Sequence, residues 1–279
     1  MELEQLLERT LGLAEESDWQ GAAMLLREHL SEHEEEPAIH CWLGVAEREM
    51  GLDGVAYERF KRALSLDPDD AYVLATAGNG IAAFDDPEAE VALRTAALTA
   101  PDLALARMLY GAFLAREGFP EDSLRELDAA RRLEPDDPQI AYEQGVARYL
   151  SGDVDGALDA VGDAVALLPE DAWARVLFGL LLLEGGRDEE AAGELGEGAR
   201  LAPEDVEAQL LAALAAAAIG ADDLAYEMVE RARFRAGEAD LRLLQSVEDR
   251  LDSGAEAARD LLVDAVAPDA LRQRAAERP

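Results

Sequence analysis

Basic residues are scarce in this sequence: 61 acids face 25 bases, the formal net charge is −36, and Lys61 is the only lysine. A chain so acidic is repelled by phosphate backbones and anionic membrane surfaces, so neither nucleic acid nor membrane is an expected partner. Cysteine is nearly absent. Cys41 stands alone, which excludes an intrachain disulfide and suits a reducing cytoplasm, the expected location. Long apolar runs are missing too: the longest, Leu210 to Ile219, is half of the ~20 residues a membrane helix needs. The opening Met1-Glu2-Leu3-Glu4-Gln5 has no basic stretch, so a signal peptide is not expected there. No segment alternates with period two, which argues against strands. Catalytic signatures are lacking as well. There is no Gly-x-x-x-x-Gly-Lys-Ser/Thr, no His-Glu-x-x-His and no Gly-x-Ser-x-Gly, so neither an enzyme nor a cofactor is expected.

What is present is a hydrophobic fraction of 49%, ample for a buried core. The cations are almost all arginine. Two causes combine: a GC-rich genome explains scarce lysine but not a charge of −36, and a cytoplasm at molar salt explains the charge. At 1 M salt the Debye length falls to ~3 Å, so crowded carboxylates stop repelling and keep the surface hydrated. The composition therefore predicts a salt-in halophile.

A period of about 34 residues runs through the chain. Glycines recur at Gly44, Gly78, Gly111, Gly145 and Gly179, and again at Gly118, Gly152, Gly186, Gly220 and Gly254. Small residues follow the same step at Ala56, Ala89, Ser123, Ala157, Ala191 and Ala225, and large apolar residues four places on, from Phe60 to Val263. Prolines at Pro68, Pro101, Pro135, Pro169 and Pro203 close the units. Glycine inside a helix costs ~1 kcal/mol relative to alanine, which makes sense only where another helix passes too close for a Cβ. The second glycine series lies where a helix end needs positive φ. Asp70, Asp137, Asp171 and Asp205, just after the prolines, are placed to cap the next helix. Each unit thus reads helix, glycine turn, helix, proline turn.

This order of residues resembles the tetratricopeptide repeat over nearly the whole chain. The resemblance implies an all-α fold, a right-handed α-solenoid of stacked helix-turn-helix units, as one continuous domain over 1–279. A degenerate first unit spans 1–36, regular units 37–237, a degenerate capping unit 238–267, and a solvating tail 268–279. It also implies a non-catalytic scaffold whose inner groove, lined by the first helix of each unit, holds a protein segment.

Helical periodicity about each mid-helix glycine picks out the groove-facing stripe. The residues expected to touch a partner are Tyr72, Asn79, Met108, Tyr142, Tyr149, Trp173, Val176, Leu180 and Leu210. The tyrosines and the tryptophan offer large contact area at low entropy cost, and Met108 adds adaptability. Only Asn79 suits a clamp for an acidic C-terminal peptide, so an apolar or amphipathic helix is the better ligand. If a tightly wound superhelix covers these positions itself, they are core instead.

Two other groupings stand out. His29, His33, His40 and Cys41 lie within thirteen residues, and His29 and His33 are one helical turn apart, which leaves a metal-binding sensor as an alternative. His40 and Cys41 point about 100° apart on a helix, which works against it. Arg231, Arg233, Arg235 and Arg242, with Arg272, Arg274 and Arg278 in the tail, either pair with neighbouring acids such as Glu227, Glu230 and Glu238 or dock an acidic partner or second copy. A homodimer joined through terminal repeats is the remaining alternative.

Overall fold

Tight turns with one residue at positive φ divide the sequence into helical hairpins. The computed structural model describes residues 1–277, and among these there is no strand. Two compact units divide the chain at Pro135.

The first unit contains α1 (Leu3–Glu15), α2 (Trp19–His29), α3 (Pro37–Glu49), α4 (Asp53–Ser65), α5 (Ala71–Ala82), α6 (Glu88–Thr99), α7 (Ala104–Arg116) and α8 (Pro120–Leu133). The second contains α9 (Pro138–Leu150), α10 (Val154–Leu167), α11 (Ala172–Glu184), α12 (Asp188–Leu201), α13 (Val206–Ala218), α14 (Asp222–Arg235), α15 (Leu241–Leu251), α16 (Ala255–Leu261) and α17 (Ala267–Ala276), with a π-turn over Leu262–Val266. Helices α1 to α16 pair as eight hairpins, and within each unit the second helix of one hairpin packs on the first helix of the next. The fold is an all-α solenoid of helix-turn-helix repeats.

The glycine turns work as the period predicts. Gly118, Gly152, Gly186, Gly220 and Gly254 all have positive φ, and Ser17, Gly51 and Asp85 hold the same conformation at the corresponding earlier places. The mid-helix glycines explain the hairpin packing. A Cβ on Gly111 would stand 2.7 Å from Leu127 Cγ, and one on Gly179 would stand 2.7 Å from Leu195 Cγ. The large apolar residue of the second helix thus sits directly on the bare backbone of the first. Phe60, the bulkiest of that series, uses two such places, its ring lying against both Gly44 and Gly80.

Caps fix where each first helix begins. Asp70 accepts from Tyr72 N at 2.8 Å, Asp137 from Gln139 N at 2.7 Å, Asp171 from Ala174 N at 3.0 Å and Asp205 from Ala208 N at 3.0 Å. Each cap satisfies an amide that the helix leaves open, typically at a gain of about 1 kcal/mol.

The C-terminal segment departs from the expected solvating tail. One face of α17 is buried through Ala267, Ala270, Leu271, Arg274 and Ala275, while Asp269, Arg272 and Gln273 face solvent. The spacing i, i+3, i+4, i+7, i+8 makes it an amphipathic helix with a surface to pack on. Arg278 lies outside the described residues.

Candidate first-helix binding faces

In the first unit, the predicted stripe lies on α5 and α7. Tyr72 and Asn79 are half-buried, and Met108 is buried. Trp42, on α3, stacks on Tyr72 with ring centroids 5.8 Å apart and planes 21° from parallel. Such an offset pair adds roughly 0.5–1.5 kcal/mol beyond the area it buries. Burial also pushes the Tyr72 hydroxyl pKa above its ordinary value. Trp42, two residues before Gly44, falls outside the groove periodicity, and nothing in the repeat marks it.

In the second unit, the stripe belongs to α9, α11 and α13. Tyr142, Val176, Leu180 and Leu210 are buried, whereas Tyr149 and Trp173 are half-buried against the same core. Trp173 Nε1 donates to Tyr142 Oη at 2.7 Å, bringing two predicted residues together across neighbouring first helices. This face does not stand open. Helix α17 lies along α11 and reaches α9, α16 lies on α13, and Leu262, Leu271 and Ala275 join the core that holds Tyr142 and Leu180. Arg274 sets its guanidinium 4.2 Å from the Trp173 ring centroid, with Nη2 3.0 Å from Glu207 and 3.4 Å from Asp205.

The histidines and the cysteine are occupied separately. His33 Nε2 meets the Met1 carbonyl at 2.9 Å, His29 Nδ1 meets Glu32 at 3.2 Å, and His40 Nε2 donates to the Glu34 carbonyl at 2.8 Å. Among the described residues no three His, Cys, Asp or Glu side chains are arranged to hold a metal ion. Burial, with Arg59 and Arg62 nearby, keeps the His40 pKa below the usual imidazole range. Cys41 is fully buried, and burial pushes its thiol up to about 12, with the Asp70 charge adding to the shift. Such a thiol is a small apolar filler and a poor nucleophile.

His40 has a structural job that the repeat shares out. Arg107 and Arg175, at the same place in their units, donate through Nε to the carbonyls of Pro101 and Pro169, each six residues back, at 2.6 and 2.7 Å. Both also reach across their hairpins, to Glu126 and Glu194, at 2.6 Å each. In these three units the side chain four before the mid-helix glycine ties the inter-unit turn to the helix, whereas Leu74 and Ala141 hold that place in the other two.

Two of the arginines on α14 find acids close by, and Arg235 lies over the Phe234 ring instead. Arg231 pairs with Glu227 at 2.5 Å, and Arg233 pairs with Glu230 and, at 2.7 Å, with Glu248. Arg272 pairs with Asp269 on the exposed side of α17. A cavity of about 210 Å³ in the first unit is lined by Asp85, Asp86, Glu90, Phe113 and Glu117 among others. Asp86 there is already engaged by the Glu88 amide, Tyr57 Oη and Lys61, which hold its carboxyl below the usual range. No helix among the described residues is long and apolar enough to cross a membrane.

No protein-family model matches the sequence, and no curated protein matches it either. Solved structures do. A chain of the APC/C hetero-tetramer Cut9–Hcn1 superposes with a TM-score of 0.70 at 17% identity, over 85% of this chain and 48% of that one. This chain therefore spans about half the length of that relative. A tetratricopeptide repeat protein from Parabacteroides merdae gives 0.61 at 14% identity, covering 88% of this chain and 98% of its own. PilF from Pseudomonas aeruginosa gives 0.59 at 18% identity, covering 75% and 96%. At these identities the likeness establishes architecture: the chain has the fold of tetratricopeptide repeat proteins.

Proposed function

We propose that this protein is a non-catalytic scaffold that binds a helical segment of another protein on the faces formed by its first helices. The observation that carries the reading is the composition of those faces. A chain with 61 acids and 25 bases places Trp42 and Tyr72, both half-buried, against one another on neighbouring first helices of the first unit. Half-buried aromatics keep part of their area for a partner and lose little entropy when one docks. Structural relatives such as the Cut9–Hcn1 assembly support the same kind of role. The acidity fits work in a salt-rich cytoplasm, where screened carboxylates keep such apolar faces soluble.

The test is quantitative co-isolation at high salt with full-length protein and its Tyr72→Ala variant. A partner should be retained in stoichiometric amount by the unaltered chain and fall at least tenfold in the variant, while the two proteins melt within a few degrees of each other. Equal retention by both would remove the first-unit face from the reading.

A further inference from the structure

Ala255 to Ala276 form one continuous helical path through α16, the π-turn and α17. Pro268 accounts for the π-turn. It has no N–H to return to Asp264 and its ring crowds that carbonyl, so the ladder widens just before it, where Ala267 N donates to Leu262 O. The path leaves the eighth hairpin and runs over first helices: α16 on α13, then α17 on α11 and α9. Arg259 on α16 helps to aim it, its Nε lying 2.6 Å from Asp188 at the start of α12.

The fit of α17 is uneven. Its buried face carries three alanines and one leucine, a small apolar contribution for a helix in a core. Against that stands Arg274, only 2% exposed, whose Nε has no hydrogen-bond partner. Burying a guanidinium with a donor unmet is costly. What surrounds Arg274 is nonetheless suited to an arginine: the face of Trp173, held by Tyr142, and the carboxylates of Asp205 and Glu207. The receptor is better made than its occupant.

We propose that this face of the second unit is a docking groove for an arginine-bearing amphipathic helix of a partner protein, and that α17 is a placeholder which that helix displaces. The ligand class is a helix with arginine on Trp173, an apolar residue three before it in the place of Leu271, and apolar residues four before and one after it, in the places of Ala270 and Ala275. The π-turn ahead of Pro268 marks where the segment swings away. This deepens the scaffold reading above and rests on it.

The test uses the full chain carrying Leu271→Asp with Arg274→Glu, which loosens α17 and alters no groove residue. The probe is a fluorescent peptide of this chain's own sequence from Ala255 to Glu277, alongside the same peptide with Arg274→Ala. By anisotropy, the altered chain should bind the first peptide at least tenfold more tightly than the unaltered chain does, and the second at least tenfold more weakly than the first. Equal binding by both chains, or binding by neither, overturns the proposal. A dimer of the unaltered chain that vanishes in the variant would also overturn it, because the groove would then belong to a second copy. Should the altered chain not fold, hydrogen exchange on the unaltered protein decides. Amides of α17 should exchange at least tenfold faster than those of α11 and α13; exchange at one common rate would make α17 part of the core. If a co-isolated partner is held equally by the altered and unaltered chains, the placeholder falls and the scaffold stands.

Discussion

The indole N–H of Trp173 is given to the hydroxyl of Tyr142 at 2.7 Å, so one hydrogen bond joins the first helices of two successive hairpins. Tyr142 is buried, and the Arg274 guanidinium covers the tryptophan ring, which shields the bond from competing water. Tyr142→Phe should therefore destabilise the protein by about 1–2 kcal/mol in urea unfolding, since the buried donor is left unmet. Trp173→Phe should cost a similar amount, and the double variant less than the sum by about 1 kcal/mol. Strict additivity would show that the bond contributes nothing.

Glycines in these helices are not equivalent, and alanine substitution separates them. At Gly179 a Cβ would press on Leu195, so Gly179→Ala should cost about 1–3 kcal/mol as the hairpin is forced apart. Gly193, inside α12, would meet nothing within 4 Å. There Gly193→Ala should stabilise by about 0.5–1 kcal/mol, through helix propensity alone. Thermal melts of the two variants should move in opposite directions. A shift of the same sign in both would show that the mid-helix glycines do not serve close packing.

The period of 34 made the hairpins legible because each of its residues answers to a local rule: a cap, a turn at positive φ, a glycine under a leucine. Side chains that serve contacts beyond the unit were harder to read. His40 drew notice as a rare residue in a cluster, yet its repeat position gives it the backbone tie that Arg107 and Arg175 make. Arg274 reads as a solvated charge in any single sequence. Only the fold brings Trp173 and two carboxylates to it, and only then does the alternation of Ala267, Ala270, Leu271, Arg274 and Ala275 become a packing face. The packing face of the terminal helix is hidden in the sequence because it contains a charge.

Salt should stabilise this protein. Its exposed ion pairs, such as Arg187–Glu190 and Arg200–Glu197, are each worth at most about 1 kcal/mol and weaken on screening. The unpaired excess of acids, a net charge of −36, repels across the whole surface and gains more from the same screening. Melting temperature should rise steadily with potassium chloride, and helical circular dichroism should fall on dialysis into dilute buffer. A sharp melt unchanged between dilute and molar salt would show that the acidity is no adaptation to a saline interior.

Cys41 gives a pH dependence whose sign is fixed by its burial. The ordinary thiol value is 9.0, and the folded chain raises it to about 12, chiefly by desolvation and then by the charge of Asp70. Below pH 9 the thiol is protonated in both states, and its contribution to stability is fully present. Above that the unfolded chain loses the proton first and holds fewer protons than the folded one. Stability then falls by about 1.4 kcal/mol per pH unit until the folded thiol also ionises. Cys41→Ala abolishes this contribution, so the alkaline limb of its stability curve should be shallower than that of the unaltered protein. Titration with a thiol reagent at about pH 8 gives the matching kinetic result: modification limited by opening of the fold, and complete at once in denaturant. Rapid labelling of the folded protein, or parallel alkaline limbs in the two chains, would place the thiol in contact with water.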